Sequence, residues 1–131
     1  IHNIQAQYLD VSAPEDPIFD DTGSPGAIVR WQLTTQTQAT LVEAADKSFV
    51  SGGTYHQVST PGNLVQPPVE TADMNLHEWT NGYLVGVDSM FLAADSSVTW
   101  SSGPIRISVV LECTLENATQ ANSVALALSQ Q

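Results

Sequence analysis

Between Gly103 and Asn117 the chain reads GPIRISVVLECTLEN, and Ile105, Ile107, Val109, Leu111, Cys113 and Leu115 take every second position in it. Arg106, Ser108, Val110, Glu112, Thr114 and Glu116 fill the places between. Successive side chains of a strand point to opposite faces, whereas a helix brings together residues three and four apart. Alternation this long predicts a strand over 105–116 with one buried face. Such a strand would run for roughly 40 Å, which is long, and its apolar face demands a second layer to cover it. Cys113 falls on that apolar face and is expected in the core. With Glu112 and Glu116 as its nearest charges in sequence, it lacks the electropositive neighbour that a reactive thiol needs.

The same period recurs elsewhere. Val98 and Trp100 alternate ahead of the turn residues SSGP, which predicts that 97–100 and 105–116 are neighbouring antiparallel strands. Tyr83, Val85 and Val87 alternate, and the phase then slips at Asp88-Ser89 to Met90 and Leu92, the mark of a bulge or tight bend. Ala27, Val29, Trp31 and Leu33 form another strand, which TTQTQAT prolongs toward Leu41 with β-favouring threonines. Ile4, Ala6 and Tyr8 form one near the start. Val124, Leu126 and Leu128 suggest a last strand, although the alanines among them would also suit a helix.

Two stretches rich in Pro, Gly and Asp or Ser, 12–26 and 59–68, read as loops. After the second, Val69, Ala72, Leu76 and Trp79 follow at 3-4-3 spacing behind Pro68, which predicts one short helix. The expected architecture is a single domain spanning 1–131: an all-β antiparallel β-sandwich of seven or eight strands, with a jelly roll as its more specific form, long loops and one short helix.

Charge narrows the function. Fourteen acids face only three bases, Arg30, Lys47 and Arg106, for a formal net charge of −11. A phosphate backbone is bound by several Lys or Arg that displace its counterions, so nucleic acid is excluded as a partner, and an anionic membrane surface on the same ground. A lone cysteine allows no internal disulfide.

Chemistry-bearing motifs are sparse. HEWTN begins like a zinc-protease helix but has no second histidine four residues on. Glu70, Asp73 and His77 would share a face of the predicted helix and could hold a metal, against the plainer reading of a polar helix face. GVDSM does not match the G-x-S-x-G nucleophile elbow. Glu15, Asp16, Asp20 and Asp21 crowd one loop and are the candidate calcium ligands, although EF-hand spacing is missing; the competing reading is a solvated acidic loop, and no other cofactor is expected. Trp79 and Tyr83, with Asn81 and His77 as polar contacts, are the candidate sugar platform. Trp31 and Trp100 are in phase with apolar neighbours and are expected in the core. NAT at 117–119 matches the glycosylation pattern, a short match that arises readily by chance.

A β core, long loops and the absence of a catalytic constellation point away from an enzyme. They point toward a structural or assembly protein whose partners are other protein subunits, in a homo-oligomer or a capsid lattice. A virion decoration (cement) protein or surface-fibre subunit fits this description, placed on a virion or an extracellular surface. A carbohydrate-binding module is the alternative.

Overall fold

A computed structural model of the chain describes residues 1–12, 26–57, 59–60, 64–65, 69–71, 82–100, 103–117 and 119–129. The protein is all-β: among the described residues every strand pairs antiparallel and there is one short helix. In chain order the strands are β1 (Asn3–Asp10), β2 (Ala27–Thr34), β3 (Phe49–Gln57), β4 (Ser59–Thr60), β5 (Leu64–Val65), β6 (Val69–Thr71), β7 (Phe91–Ser96) and β8 (Ile105–Glu112). The helix α1 (Gln120–Ser129) closes the series.

The alternation in 105–112 meets its partner at the other end of the chain. β8 pairs with β1 along its whole length, from Asn3 opposite Glu112 to Asp10 opposite Ile105. A second sheet has the order β6-β3-β2-β7, and β4 pairs with β5 in a minor ribbon. The two main sheets share their core. Ile4 from β1 is buried with Trp31, Leu33 and Val50, and Ile107, Val109 and Leu111 from β8 pack against that group. Beside it Ala27, Val29, Tyr55 and Trp100 form a second buried cluster, against which Tyr8 and Ile105 pack. The Tyr55 ring meets Tyr8 at 5.3 Å between centroids and Trp100 edge-on at 5.8 Å.

β3 carries no clean alternation because Gly52 and Gly53 stand at its centre. Proximity requires the first of them: a Cβ on Gly52 would lie 2.8 Å from the Trp31 carbonyl oxygen and 3.1 Å from the Phe49 ring. A register shift between Leu33 and Thr34 leaves Val50 as the extra residue of a bulge, with no exposed surface.

The loop 35–48 folds back over the far end of β2 and seals its second face with polar contacts. Thr35 N–H donates to the Ser48 carbonyl at 2.8 Å, closing the loop. Buried Gln32 accepts from Val42 N–H at 2.8 Å, and Gln38 donates to Ser48 Oγ at 2.8 Å. Ser48 in turn donates from its hydroxyl (2.6 Å) and its backbone N–H (2.8 Å) to Asp46 Oδ1. These two bonds, the hydroxyl's first, hold the Asp46 carboxyl below the usual carboxylate range.

Several expectations are corrected. The strand over 105–116 ends at Glu112, and Cys113 is exposed instead of buried. The reason is register: β1 begins at Asn3 opposite Glu112, His2 N–H still donates to the Glu112 carbonyl, and Ile1 then turns aside to exchange backbone bonds with Tyr83, so among the described residues no strand pairing extends past Glu112. Residues 97–100 form no strand, and the Trp100 carbonyl accepts from Gly103 N–H at 3.1 Å. Residues 83–87 lie in irregular structure, and the strand comes later, at Phe91–Ser96. β2 stops at Thr34 where the 35–48 loop begins.

Val69–Thr71, expected to open a helix, instead pairs with β3 through His56, Tyr55 and Thr54. An available sheet edge overrode the 3-4-3 spacing, and the remainder of that segment lies outside the described residues. The C-terminal segment is a helix where a strand was the first expectation. Thr119 Oγ1 accepts from Asn122 N–H at 3.4 Å, the geometry of an N-cap, and Leu126 lies against Gly86.

Candidate functional site

The sequence-predicted site residues are mostly beyond view. Glu15, Asp16, Asp20 and Asp21 lie outside the described residues, as do His77, Trp79 and Asn81. Glu70 is in strand β6, so it does not share a helix face with Asp73 and His77. Tyr83 is described: it is half-buried, packs against the cluster of Ile4, Trp31, Leu33 and Val50, and exchanges backbone bonds with Ile1. Its ring is part of the core margin. Among the described residues no group of three or more His, Cys, Asp or Glu side chains is placed to hold a metal ion. No described helix is long and apolar enough to cross a membrane.

The notable surface lies where the two sheets fail to match in width. Val29, Trp31 and Leu33 of β2 face the core and stand in register with Ser96, Ala94 and Leu92 of β7. The β2 residues are buried, whereas all three on β7 are exposed. Among the described residues the covering sheet has two strands, and β8 pairs with β1 and not with β7. A partly open cavity of about 400 Å³ occupies the gap, lined by Val29, Ala94, Val98, Trp100, Ile105 and Ile107 among others. Its wall is chiefly apolar.

Trp100 fixes the closed end of this gap. It is buried, its Nε1–H donates to Ser96 Oγ at 2.8 Å, and the Ser96 hydroxyl donates on to the Val98 carbonyl at 2.8 Å. Gly103, just ahead of β8, has a φ of 115°, a backbone state that a side chain would strain. Among the described residues Asp95 is the one carboxylate on the cavity wall, and its Oδ1 accepts from Ser96 N–H at 2.8 Å. Among the described residues no histidine lines the cavity, and the Ser96 hydroxyl on its wall is tied to Trp100 and Val98.

The backbone of β8 completes the picture. Val11 N–H donates to the Pro104 carbonyl, which sets the phase of the β1–β8 ladder. In antiparallel pairs the bonded positions alternate, so Arg106, Ser108, Val110 and Glu112 bond toward β1. Ile107, Val109 and Leu111 therefore aim their N–H and C=O groups at the outer edge. Among the described residues no strand pairs with that edge. The sequence pattern marked β8 as a strand but carried no signal that its outer edge lacked a neighbour. The run Leu92, Ala94, Ser96 was a faint hint, since its apolar character fades along a nominally inward face.

Comparison of the chain with protein-family models, curated proteins and solved structures gave no match.

Proposed function

We propose that this protein is a non-enzymatic assembly subunit that associates with other protein subunits by strand addition at β8. In this reading the two main sheets form a sandwich one strand short, and a neighbour supplies the strand. The observation that carries it is the coincidence of two deficits at one place: the unpaired edge of β8 and the bare inward face of β7. One added strand would satisfy both, hydrogen-bonding to β8 while covering Leu92, Ala94 and the cavity beneath. An apolar wall without a nucleophile–base pair suits packing better than chemistry. The acidic, lysine-poor composition is consistent with a role in presenting surfaces, as in a capsid-decoration protein or surface-fibre subunit on a virion or cell exterior. The sugar-platform reading draws no support from Tyr83, whose ring packs into the core margin.

Hydrogen–deuterium exchange in the dilute full-length chain tests this. The amides of Ile107, Val109 and Leu111 are expected to exchange fast, and those of Arg106, Ser108 and Val110 slowly. Slow exchange of both sets in a dilute monomer would mean that the chain covers its own edge, and the assembly reading would be abandoned.

A further inference from the structure

We infer that the core between the two main sheets holds one internal water molecule, which bridges the indole of Trp31 to the hydroxyl of Ser51. The inference is independent of the assembly reading and concerns the β3 side of β2, away from the open edge.

Trp31 is 3% exposed and Ser51 1%. Their polar atoms, Nε1 and Oγ, are buried and find no hydrogen-bond partner within the chain. Buried polar groups of folded proteins are almost always bonded, either to the protein or to ordered water, so two unmet ones side by side call for a ligand. The ladder between β2 and β3 sets them side by side. Trp31 stands opposite Gly53, and Leu33 stands opposite Ser51. Residues opposite each other across an antiparallel ladder share a face, so Ser51 lies on the inward face and is the diagonal neighbour of Trp31. Diagonal positions are roughly 7–8 Å apart, within reach of an aromatic side chain. Gly53 is itself buried and adds no side chain to that face at the place opposite the indole.

The two groups are chemically complementary. An indole N–H can only donate, whereas a serine hydroxyl both donates and accepts. A direct bond from Nε1 to Oγ would satisfy them, yet none forms. What completes the pair must accept from one atom and donate to the other, and water is the smallest molecule that does both. Ile4, Leu33 and Val50 share the cluster with Trp31 and bring no polar side-chain atom to it. The water accepts from the Trp31 N–H and donates to Ser51 Oγ, within the two to four bonds usual for a buried water. The bridge links the side chains of β2 and β3 beside the point where Gly52 and Gly53 supply none.

The test is a crystal structure of the full chain at a resolution that shows ordered water. One density peak is expected within hydrogen-bond distance of both Trp31 Nε1 and Ser51 Oγ. A direct bond between the two atoms would overturn the inference, as would a peak that touches only one of them or no peak at all. In solution the Trp31 indole proton should show a nuclear Overhauser cross-peak to a long-lived water. Trp31→Phe identifies its signal among the three tryptophans. Ser51→Val replaces the hydroxyl with methyl groups, so both the density peak and the cross-peak should be lost. A cross-peak that survives in this variant would place the water elsewhere and sink the bridge, and so would its absence from the unaltered chain. Either failure leaves the assembly reading untouched, because that reading is decided by the exchange of the β8 amides.

Discussion

Leu33 and Leu92 stand opposite each other on adjacent strands of one sheet and project from the same face. The first is 5% exposed and the second 52%. Residue type and extended conformation are the same, so neither accounts for the difference, although β2 has strands on both sides and β7 has only β2 beside it among the described strands. What differs is the layer above: the two-stranded sheet lies over β2 and ends before β7. Burial in this protein is thus a property of how far the covering sheet reaches.

The largest expected effect tests that contrast directly. Leu33→Ala should cost about 2–5 kcal/mol in urea unfolding, as buried leucine truncations do, whereas Leu92→Ala in the dilute chain should fall within about 0.5 kcal/mol. Comparable losses at the two sites would mean that β7 is covered after all. Adding bulk separates the same regions. Gly52→Ala drives a methyl group onto the Trp31 carbonyl oxygen, which cannot retreat without disturbing the sheet, and should cost about 1–3 kcal/mol. Ala94→Leu at the open margin should leave the unfolding midpoint nearly unchanged.

Smaller effects belong to the periphery. Thr119→Ala removes the cap of α1 and should cost about 1 kcal/mol. The loss is expected as faster amide exchange within 120–129 while β2 stays protected. Equal loosening of β2 would place the helix in the same cooperative unit as the core. The smallest effect concerns the sealed end of β2. The Asp46 carboxyl is held below its unfolded value, so its contribution is present above about pH 4 and fades as acid protonates it through the folded value. Exchange at the Ser48 amide should therefore speed up in acid relative to the β2 amides, and Asp46→Asn should flatten that dependence.

The strands that could be read from the chain are those with one uninterrupted apolar face: 3–10, 27–34 and 105–112. β3 escaped because Gly52 and Gly53 erase its alternation, although the close approach of Trp31 is what requires a glycine at 52. The C-terminal helix was obscured because Val124, Leu126 and Leu128 repeat every second residue. Val124 and Leu128 are also i and i+4 on a helix, where they now lie exposed together. Cys113 was misplaced for a related reason: alternation continues past Glu112 in the sequence, but the partner strand does not. The candidate site was the least legible part. Its defining feature is a missing neighbour, and a strand with an unpaired edge has the same residue pattern as one with both edges paired.

What the chain determined alone is local and periodic: extended segments with one apolar face, an all-β fold, and a strongly acidic charge balance. The period of side chains is set by backbone geometry, so it can be read one segment at a time. The tertiary structure decided which strands pair, where each ladder stops and which inward face stays bare. Those outcomes depend on contacts between residues far apart in the chain, β1 with β8 above all. No local pattern encodes where a partner strand runs out.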